Sequence, residues 1–173
     1  MRRVLVLGCP ASGKSTLSRK LASIKGLPLV HLDRIFWRPN WVEATEDEFQ
    51  ASLAAELGKD AWIIDGNYGR TLAQRLERAD TAILLDFPRR VCLCRAVKRS
   101  VTGWGRWRPD MGEGCPEKLD PEFLRFIWRF GRDHRSKLLA EFDRFPGKKI
   151  VLRSPAEVSR FVASLSSEMT AWT

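Results

Sequence analysis

The sequence lacks the patterns that would place it in a membrane or in an oxidising compartment. Its apolar segments are too short and too often interrupted to cross a bilayer, and it has neither a basic amphipathic anchor nor a lipidation signal. Its four cysteines, Cys9, Cys92, Cys94 and Cys115, lack the spacing of a disulfide framework. We therefore expect a cytoplasmic protein with reduced thiols and no membrane partner.

Histidine is also scarce, and neither His31 nor His134 completes a zinc-ligand spacing with the cysteines. Cys92 and Cys94 are two residues apart on a predicted helix, so they point to different faces. The sequence thus predicts thiols that fill packing gaps rather than a zinc site. Internal repeats, low-complexity linkers and recognisable nucleic-acid-reading modules are absent as well.

Positive charge, in contrast, is in excess. The 173 residues include 30 Lys plus Arg against 21 Asp plus Glu, a formal net charge of +9. This excess predicts an anionic partner, and nucleotide phosphate, nucleic acid and a membrane surface would all satisfy it. The length predicts one domain over residues 1–173.

Short apolar runs alternate with helical patterns along the chain. The predicted strands are residues 2–8, 27–33, 61–66, 81–87 and 148–154. The predicted helices are residues 14–26, 45–58, 71–79, 89–101, 122–142 and 154–165. Thr45 with Glu48 and Ser154 with Glu157 form capping-box patterns, and Asp120 is a predicted helix cap.

This alternation predicts an α/β protein with right-handed crossovers and a parallel sheet of five strands, which has helices on both faces. Ligands of such sheets bind at the carboxyl ends of the strands. We therefore searched those ends, and the loops that follow them, for chemistry.

The stretch "GCPASGKS" satisfies the pattern G-x-x-x-x-G-K-[ST] and lies between the first predicted strand and helix. A loop of this kind wraps phosphate with backbone N–H groups, while its lysine reaches the outer phosphates and its hydroxyl binds Mg²⁺. We therefore predict an ATP and Mg²⁺ site with Lys14 as a catalytic residue and Ser15 as a metal ligand. The predicted nucleotide-binding residues are Gly8, Cys9, Pro10, Ala11, Ser12, Gly13, Lys14, Ser15 and Thr16.

Three aspartates end predicted strands and could converge near this loop. A carboxylate at the end of a neighbouring strand commonly orients Mg²⁺ or its water, and we assign that role to Asp86. The alternative is that such a residue caps the next turn. Asp33 could orient the phosphoryl acceptor or be structural, and Asp65 ends a third strand.

The segment at about 102–120 combines glycines, arginines and tryptophans. Glycine gives hinge freedom, arginine gives forked donors for phosphate, and tryptophan can stack on a base or pack against protein. The segment could therefore be a lid over ATP, with Arg106 and Arg108 closing on the nucleotide, or an arm that binds nucleic acid.

Several motifs resemble those of P-loop kinases of the adenylate-kinase-like group. "VLGCPASGKSTLSRKLA" is similar to that group's first strand, loop and helix, "WIIDGNYGRT" to its acceptor-side segment, and "AILLDFPRRVCLCRAVKR" to its fourth strand and arginine-bearing helix. The combination of "HLDRIFW", "ADTAILLDFPR" and "RPDMGEGCPE" is most similar to the proteins called topology modulation proteins, a name that refers to DNA topology. The resemblance implies a three-layer P-loop NTPase fold with a small lid.

The resemblance also implies roles for several arginines. Arg95 and Arg99 would face the transferring phosphoryl group, an arrangement that agrees with their four-residue spacing on one helical face. The lid arginines would close over ATP, and two further arginines would return to the site from beyond the lid. These four residues are Arg106, Arg108, Arg132 and Arg135. The alternative for each is a solvated basic face.

The acceptor side departs from the adenylate kinase pattern. "NYGRT" lacks the proline that precedes arginine in that group, so the role of Arg70 stays open. A pocket for a nucleoside, a sugar or another hydroxylated molecule could form from aromatic and charged residues. The predicted substrate-binding residues are Asp33, Arg34, Trp37, Asp65, Gly66 and Arg70, with Trp41 beside them. Trp37 and Trp41 could equally be core residues.

These patterns lead to two functional hypotheses. The first is a Mg²⁺-requiring phosphotransferase that moves the γ-phosphoryl group of ATP to a small-molecule or nucleotide acceptor. The second is an ATP-binding protein associated with nucleic acid, in which Trp104 or Trp107 stacks on bases. The sequence favours the first, because phosphate chemistry already accounts for the arginines. It leaves the acceptor and the oligomeric state open.

Overall fold

The computed structural model describes residues 1–170. Seven strands and eight helices alternate in it. The strands are β1 Arg3–Gly8, β2 Leu29–His31, β3 Trp37–Arg38, β4 Val42–Glu43, β5 Trp62–Asp65, β6 Thr81–Leu85 and β7 Lys148–Leu152. The helices are α1 Lys14–Lys25, α2 Leu32–Phe36, α3 Glu46–Leu57, α4 Leu72–Arg78, α5 Arg89–Thr102, α6 Pro121–Asp133, α7 Arg135–Arg144 and α8 Pro155–Thr170.

Five strands form one parallel sheet in the order β2-β5-β1-β6-β7, which confirms the predicted architecture. β1 lies in the middle, where Val6 pairs with Asp65 on one side and with Ile83 on the other. Every residue of β5 and β6 is buried, as expected for parallel strands that are covered on both faces. The loop after β1 is therefore held at the centre of the carboxyl edge of the sheet.

Local sequence signals account for most helix boundaries. Thr45 and Glu48 form both bonds of a capping box at the start of α3. Asp120 accepts hydrogen bonds from the backbone N–H groups of Glu122 and Phe123 at the start of α6. Gly26 ends α1 in the left-handed region, at φ 63°, where glycine avoids the penalty paid by other residues.

Two predicted boundaries were wrong, and one hairpin was missed. The second strand stops at His31, and residues 32–36 turn into the short helix α2. After α2, β3 and β4 form a small antiparallel hairpin that the sequence did not indicate. The long helix predicted for residues 122–142 is broken at His134, whose φ of −127° is outside the helical region.

Within residues 1–170, no helix combines the length and apolarity that a bilayer crossing requires.

Candidate functional site

The loop between β1 and α1 adopts backbone conformations that require its glycines. Gly8 and Gly13 have φ of 141° and 104°. A Cβ atom at Gly8 would also lie 2.4 Å from the carbonyl oxygen of Leu85 on β6. Glycine is thus needed for both the backbone turn and the close approach to the neighbouring strand. Ala11 adopts a positive φ of 60° as well, so the loop curves tightly around its own backbone N–H groups.

Lys14 begins α1 and folds back along the loop. Its Nζ donates to the carbonyl oxygens of Gly8 and Cys9 at 3.0 and 3.1 Å. Burial lowers the pKa of Lys14, while the nearby carboxylates of Asp65 and Asp33 oppose that shift. The ammonium group is therefore held within the loop and close to two acids, Asp65 at the end of β5 and Asp33 at the start of α2.

Asn67 ties this loop to the end of β5, a role that the sequence reasoning missed. Its side-chain oxygen accepts from the backbone N–H of Gly8 at 3.1 Å, and its Nδ2 donates to the Gly8 carbonyl oxygen at 2.7 Å. A side-chain amide can satisfy a backbone donor and a backbone acceptor at once. Asn67 thus fixes the first residue of the phosphate loop from outside it.

Arg75 on α4 holds the segment that carries Asn67. Its side chain has 0% exposure, and its guanidinium donates to the carbonyl oxygens of Gly66, Asn67 and Tyr68. Burial lowers the pKa of Arg75 to about 9. Arg75 lies three residues after the buried Leu72, so its place on the inner face of the helix was the available sequence signal.

A cavity of about 790 Å³ opens beside the phosphate loop. Its size is within the range of small-molecule sites. Loop residues Pro10 to Ser15 form its floor. Its walls are formed by α1, α5, α8 and the segment 103–120 between α5 and α6, which we call the lid. Of the predicted residues, the structure brings together on this cavity Pro10, Ala11, Ser12, Gly13, Lys14, Ser15, Thr16, Asp33, Trp37, Trp41, Asp65, Gly66, Arg95, Arg99 and Arg108.

Asp33 lies on the cavity wall at the start of α2. The hydroxyl of Tyr68 donates to its Oδ1 at 2.7 Å. Burial raises the pKa of Asp33 above its ordinary value, although Tyr68 and Lys14 act in the opposite direction. A carboxylate whose pKa is raised in this way is a better proton acceptor than an exposed aspartate.

Asp65 ends β5 on the same cavity. Its Oδ1 is 2.8 Å from Nδ1 of the buried His31. Its Oδ2 is buried without a hydrogen-bond partner among residues 1–170, and a buried polar atom of this kind usually has a partner. The environment of Asp65 therefore fits a ligand or a metal-bound water that supplies the missing contact.

The lid contributes a carboxylate that the sequence reasoning missed. Asp110 is buried and lies close to the side chain of Ser15. Burial opposes its ionisation, but Arg108, 2.9 Å away, and Ser15 lower its pKa on balance. Hydroxyl and carboxylate oxygens are the ligands that Mg²⁺ prefers, so Ser15, Asp65 and Asp110 fit such an ion.

Asp86 was predicted to bind the metal, and the structure does not bring it to the main cavity. Both of its oxygens are 2.8 Å from Arg135. The pair lines a separate cavity of about 300 Å³ between the end of β6 and helices α6 and α7. The Arg135 hydrogen bonds lower the pKa of Asp86. Neither Asp86, predicted as a metal ligand, nor Arg135, predicted at the phosphoryl group, therefore lines the main cavity; the two form an ion pair beside the second cavity.

Two of the predicted catalytic arginines lie on α5. Arg95 donates to the carbonyl oxygen of Ser12 at 2.7 Å, which places it against the phosphate loop. Arg99, one turn later, is 3.1 Å from the buried Glu117. Glu117 also pairs with Arg108. One lid carboxylate thus holds two arginines on the cavity wall.

Four other predicted arginines lie elsewhere. Arg106 is exposed and lines neither cavity, and its backbone carbonyl oxygen accepts from the N–H of Glu117. Arg132 pairs with its neighbour Asp133 at the surface. Arg34 is exposed, and Arg70, with 88% of its side chain exposed, is 3.4 Å from Glu46. These placements correct the expectation that these four arginines reach the site.

The lid rests on the hairpin formed by β3 and β4. A Cβ atom at Gly112 would lie 1.9 Å from the carbonyl oxygen of Trp37. Further along, Gly114 accepts from the backbone N–H of Asn40 at 3.1 Å, and the Cys115 thiol donates to Arg38. Glycine at 112 thus permits close contact rather than only hinge motion. The lid and the hairpin pack together and cover one side of the cavity.

The four cysteines are free thiols. In the described part of the chain no three His, Cys, Asp or Glu residues are grouped to hold a metal ion. Cys9 and Cys92 are buried, and Cys92 raises the pKa of Cys9, while Cys94 is exposed on the same helix as Cys92.

Comparison with known proteins finds similarity to proteins named as kinases. No family model matches the chain. An adenylate kinase of Clavibacter michiganensis subsp. michiganensis (strain NCPPB 382) is 31% identical over 109 residues, which cover 61% of this chain and 53% of that protein. The chain therefore spans about half the length of this curated relative. The similarity supports a P-loop kinase-like group for this chain.

Solved structures agree at the level of the fold. A gluconokinase from Sinorhizobium meliloti 1021 superposes with a TM-score of 0.54 at 15% identity, covering 99% of this chain and 97% of its own. A protein of Chloroflexus aurantiacus J-10-fl, provisionally assigned as a kinase, gives a TM-score of 0.51 at 18% identity over 95% and 96% of the two chains. At these identities the comparison shows the P-loop kinase fold alone.

Proposed function

We propose that this protein is an ATP-dependent, Mg²⁺-requiring phosphotransferase that transfers the γ-phosphoryl group of ATP to a hydroxyl group of a small molecule. The observation that carries the proposal is the cavity in which the phosphate loop, two α5 arginines and a carboxylate of raised pKa face one another. Anion binding, charge stabilisation and proton removal are thereby available in one place.

The phosphate loop would bind the triphosphate through its backbone N–H groups and Lys14. Arg95 and Arg99 would stabilise the charge that spreads over the transferring phosphoryl oxygens, and Arg108 would do so from the lid. Pro155 and Val158 of α8 line the opposite wall, and they would contact the nucleotide base.

Ser15, Asp65 and Asp110 would hold the magnesium ion. When bound, Mg²⁺ supplies charge neutralisation for the phosphate oxygens. The acids do not cancel the basic character of the site, because Lys14, Arg95 and Arg99 face it as well.

The acceptor hydroxyl would attack the γ-phosphorus directly. As the new oxygen–phosphorus bond forms, the bond to the β-phosphate oxygen breaks and ADP leaves. The Asp33 carboxylate would accept the hydroxyl proton, and Tyr68 keeps that carboxylate oriented. The lid would exclude the water that otherwise competes for the phosphoryl group.

Steady-state ADP formation from Mg-ATP tests this proposal. We expect an acceptor to stimulate it and Lys14→Ala to abolish the stimulation. Lys25→Ala is the matched control, because Lys25 ends the same helix and does not line the cavity. Turnover by the Lys14→Ala variant equal to that of the wild type would refute the assignment of the phosphate loop.

A nucleic-acid-associated role is the second hypothesis, and the exposed aromatic residues favour testing it. Trp104 and Trp128 have exposures of 64% and 46%, and the Arg89 guanidinium is 4.0 Å from the Trp128 ring centroid. Exposed aromatic rings beside arginine can stack on bases. Salt-sensitive stimulation of ATP turnover by DNA or RNA, without any small acceptor, would place this hypothesis first.

A further inference from the structure

The acceptor end of the cavity differs from the phosphate loop in its chemistry. Asp33, Trp37 and Trp41, which follow β2, line it together with Met111 and Lys118 of the lid. The indole rings of Trp37 and Trp41 are 5.6 Å apart at an interplanar angle of 69°. Broad apolar faces beside a carboxylate suit a molecule that has both C–H faces and hydroxyl groups.

Two of the arginines predicted for the acceptor are outside this end. Arg34 is exposed, and Arg70 pairs with Glu46 at the surface. Arg108 acts on the charge of Asp33, but its guanidinium is already paired with Asp110 and Glu117. Lys118 is exposed and lies 5.3 Å from the Trp41 ring centroid. A phosphate group here would meet this flexible ammonium group and an arginine that is already paired, beside the Asp33 carboxylate. Phosphate sites usually present forked arginine donors or several backbone N–H groups.

A buried donor at this end lacks a partner. The indole Nε1 of Trp41 has no hydrogen bond within the described residues. An indole N–H only donates, and a carboxylate only accepts. A hydroxyl group can do both, so a molecule with two or more hydroxyls can accept from Trp41 and donate to Asp33.

We propose that the acceptor is a phosphate-free polyhydroxylated molecule that packs against the paired rings of Trp37 and Trp41 and presents its reacting hydroxyl to Asp33. The proposal rests on the phosphotransferase function above and narrows its substrate class. Neutral sugars, cyclic polyols, nucleosides and sugar acids share this hydroxyl chemistry. Nucleoside monophosphates and sugar phosphates are excluded by it.

The first test is a panel of matched pairs in the ADP-formation assay with wild-type protein and Mg-ATP. The pairs are adenosine and AMP, thymidine and TMP, and ribose and ribose 5-phosphate, while glucose, inositol and gluconate extend the phosphate-free arm. We expect a phosphate-free compound to stimulate turnover at least ~10-fold over the background without acceptor, since unassisted hydrolysis lacks the oriented hydroxyl. Within each pair, we expect the phosphorylated compound to stimulate turnover no more than the phosphate-free compound does.

Stimulation that is confined to the phosphorylated compounds would overturn the substrate class while leaving the kinase function standing. Absence of Lys14-dependent stimulation by every compound would instead remove the kinase function, and the substrate class with it. If gluconate stimulates turnover more than glucose does, and this difference disappears in Lys118→Met, the acceptor is a sugar acid. That result supports the proposal, because sugar acids belong to the proposed substrate class.

The second test uses variants and the acceptor found in the first. Trp41→Phe keeps an aromatic ring and removes the indole donor, so it should raise the acceptor KM by about 3- to 10-fold, the effect of one lost hydrogen bond, and leave the ATP KM unchanged. Trp128→Phe, a substitution on the exposed face of α6, is the matched control and should change neither. An unchanged acceptor KM in Trp41→Phe, or a rise of ~10-fold or more in Arg70→Ala, would contradict the proposal.

Discussion

Arg75→Met tests whether the buried guanidinium of Arg75 holds the phosphate loop in place through the segment that carries Asn67. The substitution keeps an unbranched side chain but removes every donor. The carbonyl oxygens of Gly66, Asn67 and Tyr68 would lose their Arg75 hydrogen bonds. Each buried acceptor left without a donor costs about 1–3 kcal/mol, so three cost about 3 kcal/mol or more. Part of this loss is recovered because the apolar side chain avoids desolvating a charge.

We therefore expect the free energy of unfolding to fall by about 3 kcal/mol and Tm to fall by about 6–12 °C. Thermal and urea unfolding, followed by circular dichroism, measure these changes. Arg75→Lys retains one charged donor and should lie between the wild type and Arg75→Met. Because Asn67 holds Gly8, the affinity for ADP should weaken in parallel. A Tm within about 1 °C of the wild type would refute the reasoning.

Three further predictions concern the cavity. Asp33→Asn should slow turnover by about 10²- to 10⁴-fold. Because burial raises the pKa of Asp33, wild-type activity should fall as the pH drops through that raised pKa. Above that pKa the variant should be more stable than the wild type, since it has no buried carboxylate charge. A loss of stability at neutral pH together with normal turnover would contradict this. Gly112→Ala should displace the lid from Trp37 and increase proteolysis of the lid, whereas Gly131→Ala, with open space around its Cβ position, should not. Equal cleavage rates in the two variants would contradict the packing of the lid on the β3–β4 hairpin. Asp110→Asn should weaken Mg²⁺ binding in the presence of ADP, measured by calorimetry, and an unchanged affinity would remove Asp110 from the metal site.

The prediction of the parallel sheet was confirmed, and that sheet and the glycine-dependent loop after β1 both depend on local signals. Apolar runs that end in glycine or aspartate define buried strands, and the spacing from Gly8 to Ser15 defines the loop. The loop pattern also fixes where Lys14 and Ser15 lie relative to β1 and α1. These residues required no knowledge of distant contacts.

The acceptor side and the lid were predicted less well because their positions depend on long-range partners. Asp86 lies at the end of a predicted strand, as Asp33 and Asp65 do, yet Arg135, 49 residues later, binds it outside the cavity. Asp110 reaches Ser15 only through the path of the lid. Residue type and spacing do not predict such partners, since a bidentate arginine can come from any helix that packs beside the strand.

The most direct test of the account is phosphorus NMR of a reaction that contains the protein, Mg-ATP and a hydroxylated acceptor. The account predicts a new phosphomonoester resonance that grows with ADP, and its absence in Lys14→Ala. Formation of ADP and inorganic phosphate alone, at the same rate with and without acceptor, would show hydrolysis rather than transfer and would contradict the proposed function.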